Sequence, residues 1–338
     1  MLLLALVGPG FAQATDLYTG EYAVADGRSA DTRAFSGALE EVLVKLTGHE
    51  ELARDPALSA SIGDPEAHML GFQFREYSVP MREGEPLEER RLVAEFDPDR
   101  IDRILAEQAI PRWGRERPEM LVWTVFETLD GSVEFGEAES DWLDAHLEEA
   151  GRRRGLSLVT PLYDGMDRSL ASTEDIRGAF SEYMLDAMPR YGTDGVVLVD
   201  FRETAAGWLS NWTIRLGQQE ERFVLRDLTP EPMVVEGVTR LARFLAGRFA
   251  TLRGVEGTRE RIRVTGIRGT AHFAEIQRYL EELSLVDSVH LRRARGEAMD
   301  FELELNASGL EHVLEIGGLL EFRGQDGESG YPVYDLQW

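Results

Sequence analysis

The chain has no cysteine, which excludes disulfides, thiolate zinc sites, cysteine nucleophiles and a lipidated cysteine while leaving the redox compartment open. Lysine is almost as scarce: Lys45 is the single lysine among 36 basic residues, and every other is arginine. Lys45 lies in an amphipathic pattern, where a side chain snorkelling to the surface is expected in preference to a Schiff-base nucleophile. Neither GxGxxG nor a P-loop lysine motif occurs, and no GxSxG elbow. The six histidines (His49, His68, His146, His272, His290, His312) are scattered, without the spacing of a helical metal site. Glutamates flank His49 and His146, which reads as a solvated turn and a solvated helix face. No metal or cofactor is expected, and no catalytic residue.

Positive charge is also short. Against 62 acidic residues the 36 basic ones leave a formal charge of −26, a field that repels phosphate backbones and anionic headgroups. Nucleic acid is therefore excluded as a partner. The acidity reads as a solvation device, with a cation-binding role as the alternative. With 62 acids, pairs of carboxylates arise by chance everywhere and single out no site.

What is present begins with "MLLLALVGPGFAQA", an apolar run too short to span a bilayer, a Gly-Pro break and a small-x-small pattern at Ala12-Gln13-Ala14. This predicts a cleaved leader over residues 1–14 and a periplasmic location. The basic n-region of such leaders is missing, so a start further upstream, or a cytoplasmic chain, is the alternative.

At 338 residues the chain suits two or three domains. "DLYTGEYAVAD" reads as a strand. In the following segment Ala34, Phe35, Ala38, Leu39, Val42, Leu43 and Leu46 recur at helical spacing, with Ser29 or Asp31 as N-cap and Gly48 as stop. Two strands, "LGFQFREYSVPM" and "RRLVAEF", precede Asp97-Pro98, a cap and first-turn proline, and a second helix. The order is β-α-β-β-α over residues 15–117. Residues 258–338 repeat it: strand "RIRVTGI", helix "TAHFAEIQRYLEEL", strands "VDSVHLRRA" and "AMDFELELN", helix "ASGLEHVLEIG" and a closing strand "LLEFRG". Leu92, Ala94, Phe96, Asp97, Ile101, Ile104 and Leu105 align with Phe301, Leu303, Leu305, Asn306, Leu310, Val313 and Leu314 at one constant offset of 209. Strand period, cap and helix face keep register without a gap, so two modules of similar shape are expected.

Residues 118–253 differ. Strand "EMLVWTVFE", helix "SDWLDAHLEEAGRRRG", strand "LSLVTPLYD", a second helix over 173–192 and three strands in quick succession lead to a closing helix. Its apolar stripe is read as Val235, Val238, Leu241, Leu245 and Phe249. "RGVEGTRE" reads as a linker to the last module. The expected fold class is α/β and α+β: ferredoxin-like βαββα(β) modules flanking a central mixed-sheet α/β domain.

Partner-binding candidates are few. Trp208 and Trp212 fall on one face of a strand, near Tyr191 and Phe201; they read as core, with an exposed recognition patch as the alternative. Arg152, Arg153 and Arg154 are a basic exception at a helix end. They meet the helix dipole there, and Arg153 and Arg154 are the candidates for an anion or partner site. Gly266 and Gly269, between a strand and a helix start, read as a tight turn.

Certain phrases look familiar. "GRSADTRAFSGALEEVLVKLTGHEEL", "RRGLSLVTPLYD" and "RYGTDGVVLV" resemble a domain-of-unknown-function family of gammaproteobacterial envelope proteins (number two thousand and sixty-six). Arg154-Gly155-Leu156 and Arg190-Tyr191-Gly192 fit its pattern, and Thr160-Pro161-Leu162 departs slightly. The resemblance runs from about Tyr22 to the end. It implies a signal peptide and no established activity. The middle segment is also similar in pattern to envelope domains of the curli-secretion, flagellar-assembly and Tol periplasmic type. The reading is an exported, non-enzymatic envelope protein that binds or assembles protein partners. A hydrolase of envelope polymer using a carboxylate pair is the alternative.

Overall fold

The computed structural model describes residues 17–25, 31–136, 141–251, 253–307, 309–314, 316, 319–327 and 329–337. The expected leader and Ser29 lie outside the described residues. The strands form three sheets, mixed or antiparallel, each drawn from its own stretch of sequence.

The first sheet holds β1 (Thr19–Val24), β2 (Met69–Val79) and β3 (Leu87–Phe96) in the antiparallel order β1-β3-β2. Helix α1 (Thr32–Thr47) starts where the Asp31 carboxylate accepts the Ala34 N–H and stops at Gly48, whose φ of 72° favours glycine. Its seven predicted apolar positions are all buried. It lies so close to β1 that a β-carbon on Gly20 would sit 1.8 Å from the Ala38 carbonyl oxygen. Helix α2 (Pro98–Glu107) is capped by Asp97 as expected.

The second sheet holds β4 (Glu119–Glu127), β5 (Val133–Glu134), β6 (Ser157–Val159), β7 (Gly195–Thr204), β8 (Gly207–Leu216) and β9 (Gln219–Asp227). β4 runs parallel to β6 and β7; β7, β8 and β9 form an antiparallel meander with β9 at the edge. Helices α3 (Asp141–Arg154) and α4 (Glu231–Phe249) cover one face through Leu143, Leu147, Val234, Val238 and Leu245. Short helical segments cover the other, packing Ile176, Met184 and Ala187 on Trp123, Val125 and Leu198. With both faces covered, β4 and β7 are almost continuously apolar.

Two expectations fail here. The single helix over 173–192 is broken into Thr173–Arg177, a 3-10 turn Ser181–Ala187 and Met188–Tyr191. Gly178 ends the first piece, Ala179 takes a φ of 56°, and Pro189 opens the last. On α4 the stripe runs through buried Val234, leaving Val235 46% exposed.

The third sheet holds β10 (Arg253–Thr265), β11 (Val286–Arg295), β12 (Ala298–Ala307), β13 (Leu320–Gln325) and β14 (Pro332–Leu336), in the order β11-β12-β10-β14-β13. Its helices are α5 (Thr270–Glu282) and α6 (Leu310–Leu314). The expected linker "RGVEGTRE" is instead the start of β10, whose pairing with β12 shifts register between Arg253 and Thr258. The closing strand also differs. "LLEFRG" forms β13 at the outside, because a turn at Asp326–Tyr331 folds β14 back between it and β10, burying Tyr334 and Leu336.

The two outer sheets match in strand order, β1-β3-β2 against β10-β12-β11. Leu92 lies between Tyr22 and Phe74, and Phe301 between Ile262 and Leu291. The cap does not match: Asp97 caps α2, whereas the Asn306 side chain donates to Asp287 at 2.6 Å. Among the described residues no helix is long and apolar enough to cross a membrane.

Candidate functional site

The parallel strands β4 and β7 end in an aromatic stack. Phe126 stacks on Phe201 at 4.4 Å between ring centroids, the rings nearly parallel, and Trp208 meets Phe126 edge-on. In open α/β sheets this end of the parallel strands is where ligands gather. Trp208 and Trp212 do share one face, and that face is core: Trp212 is 1% exposed and Trp208 9%. The Trp212 indole donates to the Ser210 hydroxyl, stacks on Phe223 and rests on Gly237 of α4. No exposed recognition patch forms from the pair, because α4 covers it.

Trp208 is sealed from outside by a residue the sequence did not single out. Arg82, in the β2–β3 connection, sets its guanidinium 4.6 Å from the Trp208 ring and 5.2 Å from Phe126. It donates to Glu134 at 3.4 Å, and its backbone N–H to Glu231 at 3.2 Å. "REGEPLEE" carries a turn signal only; that the turn reaches the second sheet is a long-range fact with no local mark. Beside Trp208 opens a cleft of about 370 Å³, lined by Thr204, Ala206, Leu209, Arg226, Asp227 and Leu228. Among the described residues Asp227 is the only carboxylate of that lining. The cleft offers apolar surface with one charge of each sign.

Tyr191 belongs to a latch. Its hydroxyl donates to Asp167 at 2.6 Å and accepts the Leu162 N–H at 2.9 Å. Arg190 donates to Asp164 and to fully buried Asp167. Arg190's hydrogen bonds hold the Asp164 carboxyl well below the usual range. Burial, then the bond to Asp167, pushes the Tyr191 hydroxyl up. The segments around "TPLYD" and "RYGTDG" thus meet in space and tie the β6 loop to the turn before β7.

The arginine run at the end of α3 closes on the first sheet and its helix. Arg152 donates to both oxygens of Glu21 at 2.7 and 2.8 Å, Arg153 to Glu41 at 2.9 Å, and Arg154 to Glu50 at 2.6 Å and Thr239 at 2.9 Å. Arg91 pairs with Glu21, Glu89 and Glu149, and Tyr77 donates to Glu21. Arg117 donates to the carbonyls of Lys45, Arg154 and Gly155, gathering the C-terminal ends of α1 and α3. Arg153 and Arg154, the candidates for an outside partner, each meet a carboxylate of the chain, and the Arg153 side chain stays 40% exposed. Burial would raise the Glu21 carboxyl, but the bonds and charge of Arg152 outweigh it and hold it low.

Lys45 does not snorkel. It is 2% exposed, donates to the Thr19 carbonyl at 2.7 Å and faces Glu41 at 3.1 Å. Burial lowers its pKa, against the raising effect of Glu41. His146, read as solvated, is buried with Nδ1 at 2.7 Å from the Trp142 carbonyl. Among the described residues no three His, Asp or Glu side chains gather as a metal site.

A family model for a domain of unknown function (DUF8605) matches residues 12–114, the stretch of the first sheet. The family that the sequence resembled carries another number and extends over most of the chain. No curated protein matches. Among solved structures the chain is similar to the LpoB C-terminal domain from Salmonella enterica, at 15% identity over 32% of this chain and 83% of that one, with a TM-score of 0.23. A likeness of that size carries no argument about partner or role.

Proposed function

We propose that this chain is an exported, non-enzymatic binding or assembly protein of the bacterial cell envelope. The observation that carries it is the disposition of its polar groups. The charged side chains that could have formed a site (Arg152, Arg153, Arg154, Asp167, Arg190) each meet an opposite charge within the chain, while the Trp208 cleft and the nine-residue β9 edge stay open. Open edges and apolar clefts suit extended or side-chain-burying protein partners. The charge of −26 speaks against nucleic acid. Export to the periplasm, with cleavage after Ala14, is supported by the apolar run and the Ala12-Gln13-Ala14 pattern. The test is crosslinking of a tagged copy in cells, then recovery from envelope extract. The expected result is a discrete envelope protein, lost when the cleft is spoiled by Leu228→Asp. Recovery of sugar or nucleotide with no protein overturns the reading, and an uncleaved chain in the cytosol overturns export.

The hydrolase reading has one observation in its favour. Burial and then the charge of Glu311 push the Glu260 carboxyl on β10 above its ordinary range, a direction that a general acid shares. Polymer hydrolysis lost in Glu260→Gln would favour it; unchanged turnover in that variant removes it.

A further inference from the structure

The edge at β9 is the longest unbroken one among the described residues; β1 also pairs without a break, but over six residues. β2 and β13 each break register once and β11 twice, and bulges of this kind blunt an edge against pairing. β5 and β6 are only two and three residues long. β9 instead pairs with β8 over nine residues without a break, from Trp208–Asp227 to Leu216–Gln219. Among the described residues no strand pairs with its other side. Its sequence, QEERFVLRD, contains no proline, and its charges are of both signs, so they admit pairing only in a register that sets opposite charges together.

We propose that β9 is a self-association edge, taking the β9 of a second copy antiparallel about a twofold axis through Phe223 and joining two six-stranded sheets into one. The charges select that register. An axis perpendicular to the sheet keeps each face on its own side, so paired residues must point the same way. Centred on Phe223, Glu220 stands opposite the partner's Arg226, and Arg226 opposite the partner's Glu220. Centred one residue later, on Val224, the same geometry sets Arg222 against the partner's Arg226. Centred one residue earlier, it sets Arg222 against its own copy. Like charges directly opposite are destabilising. Centres at Glu221 or Leu225 leave only residues 219–223 or 223–227 to pair.

Both charged groups are available for this. Arg226 is exposed and enters no ion pair among the described residues. Glu220 accepts from the Ser181 hydroxyl and from Arg222, and a carboxylate has room for a further donor. Some exposed apolar side chains stand among the charges on both faces. Val224 is 45% exposed on the face that Glu220 and Arg222 share, where Ser181 and the Ala179 carbonyl tie down the segment carrying exposed Phe180 and Tyr183. On the other face α4 lies against β9, with Arg240 over the Phe223 ring at 4.9 Å and Val235 exposed.

The inference does not rest on the envelope reading, and either can fail alone. The test is sedimentation velocity on the full chain at moderate salt, where the −26 charge of each copy is screened. The expected result is a concentration-dependent dimer. Glu220→Arg and Arg226→Glu, each checked as folded by circular dichroism, should weaken it about tenfold or more, since each turns two attractive pairs into two repulsive ones. Mixing the two variants in equal amounts restores opposite charges at both positions and should restore association. A wild type that stays monomeric up to its solubility limit overturns the proposal. So does a dimer indifferent to both substitutions, or a mixture that fails to associate.

Discussion

Arg152 forks onto Glu21 from 131 residues away, its two terminal nitrogens 2.7 and 2.8 Å from the two carboxylate oxygens. Glu21 is buried, so the ion pair replaces water that the carboxylate has lost. Replacing Arg152 with Met should cost about 3 kcal/mol in urea unfolding near neutral pH, because Arg91 and Tyr77 only partly answer the charge left behind. The sign with pH follows from the lowered Glu21 pKa. Its contribution is present above the unfolded value of 4.5 and is lost as pH falls through the lower folded value. In the variant the folded pKa rises, so acid unfolding should begin at higher pH. An unchanged acid limb would contradict this role.

Lys45 offers a second check, since it is the only side-chain amine in the chain. Held between the Thr19 carbonyl and Glu41, it should resist an amine-directed ester in the native protein and react fully in denaturant, as read by peptide mass mapping. Its lowered pKa means that the unfolded chain binds the extra proton, so this group's contribution to stability rises with pH toward the ordinary value of 10.5. Rapid labelling of Lys45 under native conditions would show a side chain reaching water after all.

Much of this architecture is legible locally. Asp31 and Gly48 frame α1 at the positions their chemistry requires, and the 209-residue offset puts Leu92 and Phe301 at the same place in two sheets of like strand order. What failed is long-range. Arg152, Arg153 and Arg154 announce a basic helix end, but their carboxylates lie 131, 112 and 104 residues away, and no local period marks them. Lys45 carries the helical period of a core position, and its polar head argued for the surface; Glu41 and the Thr19 carbonyl decide otherwise. β13 reads as a closing strand because the later turn at Asp326–Tyr331 contributes no periodicity of its own.

Two glycines of α4 should respond to alanine with opposite signs. At Gly237 a β-carbon would lie 2.2 Å from the Trp212 ring, which Phe223 holds from its own side. The overlap should outweigh the gain in helix propensity and leave Gly237→Ala about 1–2 kcal/mol less stable. Gly247 faces open space, so Gly247→Ala keeps the propensity gain and should be up to about 1 kcal/mol more stable. Thermal unfolding of both variants side by side decides it, and equal shifts would mean that α4 is not seated on Trp212.

The last prediction concerns the lid on Trp208. Arg82 lies over two rings, at 4.6 Å from Trp208 and 5.2 Å from Phe126, and also reaches Glu134. Stacking on desolvated aromatics is worth about 1–2 kcal/mol, so Arg82→Ala should lower stability by that much. It should also raise acrylamide quenching of tryptophan emission as water reaches Trp208. Arg82→Lys keeps the charge and loses the planar stack, so it should fall between the two. The backbone N–H of residue 82 still donates to Glu231 in both variants, which keeps the connection in place and isolates the guanidinium's part. If the alanine variant matches the parent in both stability and quenching, the connection between β2 and β3 is not what shields the aromatic stack, and the cleft beside Trp208 is shaped by the hairpin of β7 and β8 and the end of β9.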